Sequence, residues 1–290
     1  MPRTPTAELI STAAANRTGI AAFNVITLEH VEAVVAGAES TRSPVIVQIS
    51  QNAIRFHRGR LAPLAAACRA IAEDSTAQVA LHLDHIEDVE LLHQTAEVGF
   101  DSVMFDASKL SYSDNLAATR AAAEWAHQHG LWLEAELGEV GGKEGAHAPG
   151  VRTDPTEARE FVAATGVDAL AVAVGSSHAM TTQTARLDHA LIAELEASAG
   201  VPLVLHGSSG VPHPELARAV ENGMTKINIG TALNVAFTTE VRHALLANDA
   251  VVDPRTYLKR ARDGIALAVA EVHHALSRTG AGRRTTAEHA

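Results

Sequence analysis

Eight short, nearly unbroken apolar runs recur along the chain, and each is followed by a longer stretch with helical periodicity. The runs lie at residues 20–25, 45–50, 79–84, 102–105, 131–137, 169–174, 202–206 and 226–229. The Ala-rich amphipathic stretches lie at 29–39, 61–73, 89–97, 116–129, 156–164, 187–198, 214–221 and 232–246. A strand that is apolar throughout, rather than at every second position, is covered on both faces. That is the mark of a parallel sheet under helices. Eight strand–helix units in 290 residues match the closed (β/α)8 TIM barrel, which needs about 250. An open doubly wound sheet is the competing α/β architecture, but it normally carries a glycine fingerprint after its first strand. Here that strand runs into Phe23-Asn24-Val25-Ile26-Thr27, with no such turn.

No shift in composition marks an internal boundary. Residues 1–276 therefore read as one TIM-barrel domain with an extra C-terminal helix at 254–276, and 277–290 as a polar, disordered tail. The one long Gly- and Pro-bearing loop, 141–155, is expected to be a mobile lid rather than a linker.

Apolar residues make up 47% of the chain and aromatics only 3%, so the core must be built from Ala, Val, Leu and Ile. The formal charge of −11 comes from 34 acidic and 23 basic side chains. That balance argues against a nucleic-acid partner while leaving room for a small phosphorylated ligand at a local site. Cys68 is the single cysteine. It cannot form a disulfide within the chain and reads as a buried thiol. Residues 1–11 hold no apolar signal region and no run approaches a membrane span, so a cytoplasmic protein with no membrane partner is expected.

Polar residues gather where a barrel builds its site, at the C-terminal ends of the strands. Ser50 ends the second, Asp84 and His85 the third, Asp106 the fourth and Glu136 the fifth. His178 follows the sixth, His206 ends the seventh and Asn228 lies near the end of the eighth. Three imidazoles converging on one point would hold zinc and leave it an open position. Against this, a strand-end histidine often just bonds a loop, and the chain has 16 histidines; His30, His82 and His127 read as structural. Asp84 has two readings, a proton carrier beside the metal or the N-cap of the next helix, and both stand open. The segments His206-Gly207-Ser208-Ser209-Gly210 and Asn228-Ile229-Gly230-Thr231 each turn from a strand into a helix. Small residues, hydroxyls and a helix N-terminus suit a phosphate, and two adjacent turns of this kind favour one.

With these residues placed, the sequence resembles the class II fructose- and tagatose-bisphosphate aldolases from the first strand to about Arg255. The matching segments are Ala80-Leu81-His82-Leu83-Asp84-His85, Glu134-Ala135-Glu136-Leu137-Gly138 with Gly141-Gly142, the run from Gly166 to Gly175, Pro202 to Gly207, and Lys226-Ile227-Asn228. The resemblance implies a lyase of glycolytic type, reversibly cleaving a ketose 1,6-bisphosphate to dihydroxyacetone phosphate and glyceraldehyde 3-phosphate. It implies Zn2+ on His85, His178 and His206, with Glu136 lining an alternative metal position, and a monovalent cation (Na+ or K+) left open. Asp84 becomes the proton donor, and Glu144 a second proton carrier brought in by the lid. Ser50, Ala179, Gly207, Ser208, Ser209, Asn228, Ile229, Gly230, Thr231 and Arg255 become substrate contacts. A homodimer or homotetramer is expected.

The chain departs from the family pattern in several places. Ala179 stands where the family has Gly, Asp106-Ala107-Ser108 replaces Asp-Gly-Ser, the lid is short, and Thr231-Ala232-Leu233 replaces Thr-Glu-Leu. Gly230 leans toward the tagatose type. Two other readings stand beside this one: an aldolase acting on 6-phospho-5-dehydro-2-deoxy-gluconate, and a non-catalytic aldolase-like subunit.

Overall fold

The structure, a computed structural model, describes residues 3–137, 151–178 and 180–277. Eight parallel strands close into a barrel in sequential order, with β8 returning to β1. They are β1 (Ile20–Asn24), β2 (Val45–Ser50), β3 (Val79–Ile86), β4 (Ser102–Phe105), β5 (Trp132–Glu136), β6 (Ala169–Ala171), β7 (Leu203–Leu205) and β8 (Met224–Ile229). The outer ring is α2 (Leu28–Thr41), α4 (Ala62–Asp74), α5 (Val89–Glu97), α6 (Tyr112–Gln128), α7 (Pro155–Thr165), α8 (His189–Ala199), α9 (His213–Glu221) and α10 (Thr231–Ala247). The expected (β/α)8 architecture is thus the observed one. So is the extra C-terminal helix, α11 (Pro254–Ser277).

Two short helices were not expected from the sequence. α1 (Thr6–Asn16) precedes β1, and α3 (Gln51–Phe56) follows β2, where the Ser50 hydroxyl caps it by accepting from Ala53 N at 3.2 Å. The sixth and seventh strands are shorter than their apolar runs. The cause is visible at Ala173, whose N–H is taken by the Thr153 hydroxyl at 2.8 Å instead of by a neighbouring strand.

Alternation within each strand divides the core. Ala21, Phe23, Val45, Val47, Leu81 and Leu83 face outward and pack with the helices. Ile20, Ala22, Ile46 and Ala80 face inward and meet Leu9 and Ile10 of α1, which closes the N-terminal end. This period of two is what carries the site. Continuing the inward rows toward the C-terminal end gives Asn24 on β1, Gln48 and Ser50 on β2, and His82 and Asp84 on β3, with Ser50 in register with Asp84. Cys68 is fully buried in α4, and burial pushes its thiol up to about 12. Among the described residues, no helix is long and apolar enough to cross a membrane.

α11 packs against α2 at very close range. A Cβ on Gly37 would meet the Val269 side chain at 2.6 Å and the Ala266 carbonyl oxygen at 2.8 Å, so only glycine allows this crossing. Lower on α11, His273 is buried against the edge of the Phe23 ring. Burial, then the neighbouring His274, lowers its pKa to about 4. An unfolded histidine titrates near 6.5. The folded state therefore resists a proton that the unfolded state accepts, and stability falls as pH drops from the unfolded value toward the folded one. Between pH 7.5 and 5 this residue should cost about 2 kcal/mol. Urea melts of wild type and His273→Leu at both pH values check it. The variant should lose about that much less on acidification, and equal losses would refute the assignment.

Candidate metal centre and anion cleft

At the C-terminal mouth, three histidines come together from β3, from the loop after β6 and from the end of β7. The His85 ring lies 4.7 Å from that of His206 and 5.1 Å from that of His178, centroid to centroid, and His178 and His206 are 5.7 Å apart. One nitrogen from each lies within 4.8 Å of the other two. His85 reaches this point from a left-handed backbone, φ 48°. That is uncommon for a residue with a Cβ, and the fold must hold it there at a cost of about 1–3 kcal/mol.

Carboxylates hold two of these rings, His85 and His206, from behind. Asp106, at the end of β4, accepts from His85 Nδ1 at 2.7 Å and is itself fixed by the Ser108 hydroxyl at 2.6 Å and the Ser108 N–H at 3.1 Å. With Nδ1 so engaged, His85 offers Nε2 to the cluster. Burial works to lower the His85 pKa, but Asp84, the Asp106 hydrogen bond and Glu136 outweigh it and raise it to about 10. Burial opposes ionisation of Asp106 too, yet the His85 bond holds its carboxyl well below the usual carboxylate range. Such a field favours a cation. Glu136, 3% exposed on β5, forms a second possible ligand set with His85 and Asp106. Three imidazoles, two of them braced by carboxylates, are the donor chemistry that suits zinc.

Asp84 is 2% exposed, and both its oxygens are engaged. Oδ2 accepts from Asn24 Nδ2 at 2.7 Å and Oδ1 from Asn228 Nδ2 at 3.2 Å. Gln48 Nε2 donates to Asn24 Oδ1 at 2.8 Å and so sets that amide's orientation. The N-cap of α5 is Asp88, whose side chain accepts from Glu90 N at 2.9 Å. The capping alternative for Asp84 is thereby removed; its carboxylate points into the barrel.

Beside the histidines opens a cleft of ≈ 500 Å³. Ser50, Asp84, His85, His178, Gly207, Ser208, Ser209, Asn228, Gly230 and Thr231 all line it. The two small-residue turns meet there. The Ser209 hydroxyl accepts from Ala232 N at 3.0 Å, tying the turn after β7 to the first turn of α10, whose N-terminus faces the cleft. Gly207 sits at φ 66°, and a Cβ there would meet the Ser177 backbone at 2.6 Å. Only glycine lets these two loops lie in contact.

Other expected residues fall elsewhere. The Ile229 side chain is 2% exposed and packs with the outer core. Arg255 stands near the start of α11 with its side chain 89% exposed, paired to Asp253 at 2.6 Å and away from the cleft lining. Glu144, residues 141–150 of the lid, Ala179 and the tail from 278 lie outside the described residues. Four residues that the sequence did not single out belong to the site's frame: Asn24, Gln48, Glu134 and Lys226. A signal was present. Lys226, Glu134 and His82 each stand two places before a strand-end polar residue, so they share its inward face.

Fold and cleft together describe a barrel enzyme whose chemistry is housed at the C-terminal mouth, around histidines and an anion-binding turn. The family described as "Fructose-bisphosphate aldolase class-II" matches residues 4–281. A relative named "Probable fructose-bisphosphate aldolase" from Bacillus subtilis is 38% identical over 269 residues, covering 91% of this chain and 94% of its own. A "Fructose-bisphosphate aldolase" from Geobacillus stearothermophilus is 37% identical over 262 residues, covering 89% and 91%. Among solved structures, the YdjI aldolase of Escherichia coli K12 superposes with a TM-score of 0.82 at 28% identity, over 97% of this chain and 99% of that one. The chain belongs to the class II fructose-bisphosphate aldolase family and is an aldehyde-lyase. Membership implies a metal-dependent enzyme of sugar metabolism with a phosphorylated sugar substrate.

Proposed function

We propose that this chain catalyses the reversible, zinc-dependent cleavage of a ketose 1,6-bisphosphate of fructose or tagatose type. The products are dihydroxyacetone phosphate and glyceraldehyde 3-phosphate. The observation that carries the proposal is that Asp84, His85 and His178 share one cleft with the Gly207–Ser209 and Gly230–Thr231 turns, while buried His206 completes the three-histidine cluster. The names of the Bacillus and Geobacillus relatives support the fructose type, while the small Gly230 beside Asn24 supports the tagatose type. A homodimer or homotetramer in the cytoplasm is part of the same proposal. Leu246 and Val252, 85% and 89% exposed around the α10–α11 turn, favour an assembly contact.

His85, His178 and His206 would hold the zinc, which supplies a Lewis acid at the substrate ketone and stabilises the electron pair released as the carbon–carbon bond breaks. The phosphate of the three-carbon end would sit on the Ser208 and Ser209 turn and the N-terminus of α10, leaving the ketone facing the histidines. Asp84, clamped by Asn24 and Asn228, would take the hydroxyl proton in cleavage and return it in condensation. Ser50, in register with Asp84 on the neighbouring strand, would orient a substrate hydroxyl. Glu144 would carry the second proton, at the carbon of the three-carbon product.

A cleavage assay of zinc-loaded protein on fructose 1,6-bisphosphate, tagatose 1,6-bisphosphate and 6-phospho-5-dehydro-2-deoxy-gluconate tests the substrate. Turnover of the last alone would overturn the bisphosphate reading. Ser209→Ala and Thr231→Ala should each raise KM by about tenfold and lower kcat far less, because phosphate contacts are made equally in ground and transition states. An unchanged KM in both would remove the phosphate from these turns.

A further inference from the structure

Beneath the cleft lies a buried charged group whose side chains are not among those lining it. Glu134 of β5 and Lys226 of β8 are both 0% exposed, and Lys226 Nζ donates to Glu134 Oε2 at 2.7 Å. Glu134 Oε1 meets His206 Nε2 at 2.9 Å. His82 Nε2 lies 3.9 Å from Glu134 Oε2, and its Nδ1 pairs with the Ser102 hydroxyl at 2.9 Å. Ion pairs in such a place are costly to desolvate, and apolar pairs of similar volume often serve stability as well or better. Stability therefore gives a weak reason for this pair to be here.

The hydrogen-bond chemistry gives a stronger one. Lys226 has only donors to offer, so it anchors the carboxylate as an acceptor. A carboxylate oxygen facing His206 Nε2 requires the hydrogen on Nε2. A neutral imidazole carries one hydrogen, so the Nδ1 lone pair is left to act as ligand. Nδ1 is the nitrogen on the metal side, 3.6 Å from Oε2 of Glu136, which shares a tight ligand set with His85. The Asn228 amide nitrogen also lies 3.1 Å from Nε2. With Nε2 protonated that contact is no hydrogen bond, and the amide donates to Asp84 instead.

We infer that the buried Glu134–Lys226 pair is a positioning device that fixes the tautomer and ring orientation of His206, so that Nδ1 faces the metal. The inference rests on the metal-site reading proposed above. His85 is set the opposite way round, with Nδ1 held by Asp106 and Nε2 presented. The pair acts through His206 and meets no substrate.

Two measurements test it, the first on wild type. In metal-stripped enzyme with 15N-labelled histidine at pH 8, long-range proton–nitrogen spectra should show His206 as the Nε2–H tautomer, assigned by the signals lost in His206→Gln. An Nδ1–H tautomer overturns the inference, whatever any variant does. The second is zinc affinity by chelator competition in the double variant Glu134→Leu, Lys226→Met, which removes both charges together, leaves neither one buried alone and takes away the acceptor that faces His206 Nε2. A cooperative melt shows that it folds. Zinc should bind about 10- to 100-fold more weakly, and the Nε2–H preference should be lost. A folded double variant with wild-type zinc affinity and an unchanged tautomer overturns the inference; if the double variant does not fold, the wild-type spectrum decides alone. Wild-type protein that takes up no zinc overturns the zinc reading itself and, with it, the purpose assigned to the pair.

Discussion

Replacing His85, His178 or His206 by alanine is expected to remove stoichiometric zinc and to lower kcat/KM by at least about a thousandfold. A Lewis acid at the ketone contributes several kcal/mol to the transition state, and about 4 kcal/mol corresponds to a factor of a thousand. The three variants should differ in stability. His178 is exposed at the rim, so His178→Ala should melt almost as wild type does. His206 is 0% exposed and bonded to Glu134. Its removal leaves part of a buried carboxylate without a donor, at a cost of about 1–3 kcal/mol. Metal content, a cleavage assay and a thermal melt on each variant separate these effects. Wild-type enzyme that keeps full activity after chelation and removal of the metal would sink the zinc assignment.

Asp84→Asn should leave zinc bound and slow cleavage by about 10²- to 10⁴-fold, the range of a lost proton carrier. KM should change little, because the phosphate contacts are untouched. A stability cost accompanies the change. Both Asp84 oxygens accept from amide nitrogens, Asn24 and Asn228, and an asparagine must turn its own NH2 toward one of them. Asn24 cannot flip to compensate without losing Gln48. About 1–3 kcal/mol is expected from the mismatch, readable in a urea melt. If the variant turns over at the wild-type rate with zinc in place, Asp84 is no proton carrier and its role is to shape the cleft.

Much of the architecture was legible because it rests on local pattern. The apolar runs at 45–50 and 102–105 coincide with β2 and β4, since a strand covered on both faces leaves a continuous signature. Helix α5 matched at both ends for a related reason: Asp88 is a good cap and Gly99 a good stop. α1 escaped because its apolar positions, Leu9, Ile10 and Ala13, are few, and what they pack against, Ile20, Ala22 and Ile46, comes later in the chain. The ends of β6 and β7 were overrun for the same reason. Val174 and His206 read as strand by composition, but their carbonyls accept from loop groups, the Asp188 N–H and the Ser176 hydroxyl, and the ladder ends before them.

At the site, the sequence by itself determined the residue types and their places at strand ends. His85, His178 and His206 were identified, and so was the glycine–serine turn, because strand-end position in a barrel already means the mouth. Only the tertiary structure decided what each side chain does there. It turned Asp84 inward rather than onto a helix end, tied Ser209 to α10, and left Arg255 in solvent with Asp253. It also disclosed Glu134 and Lys226, two charges 92 positions apart that sequence spacing cannot pair. The physical reason is one of range. Strand and helix follow from periodicities of a few residues, whereas a hydrogen bond across a barrel needs closure. The shear of eight strands sets which inward rows meet, and that register is a property of the closed sheet, not of any segment in it.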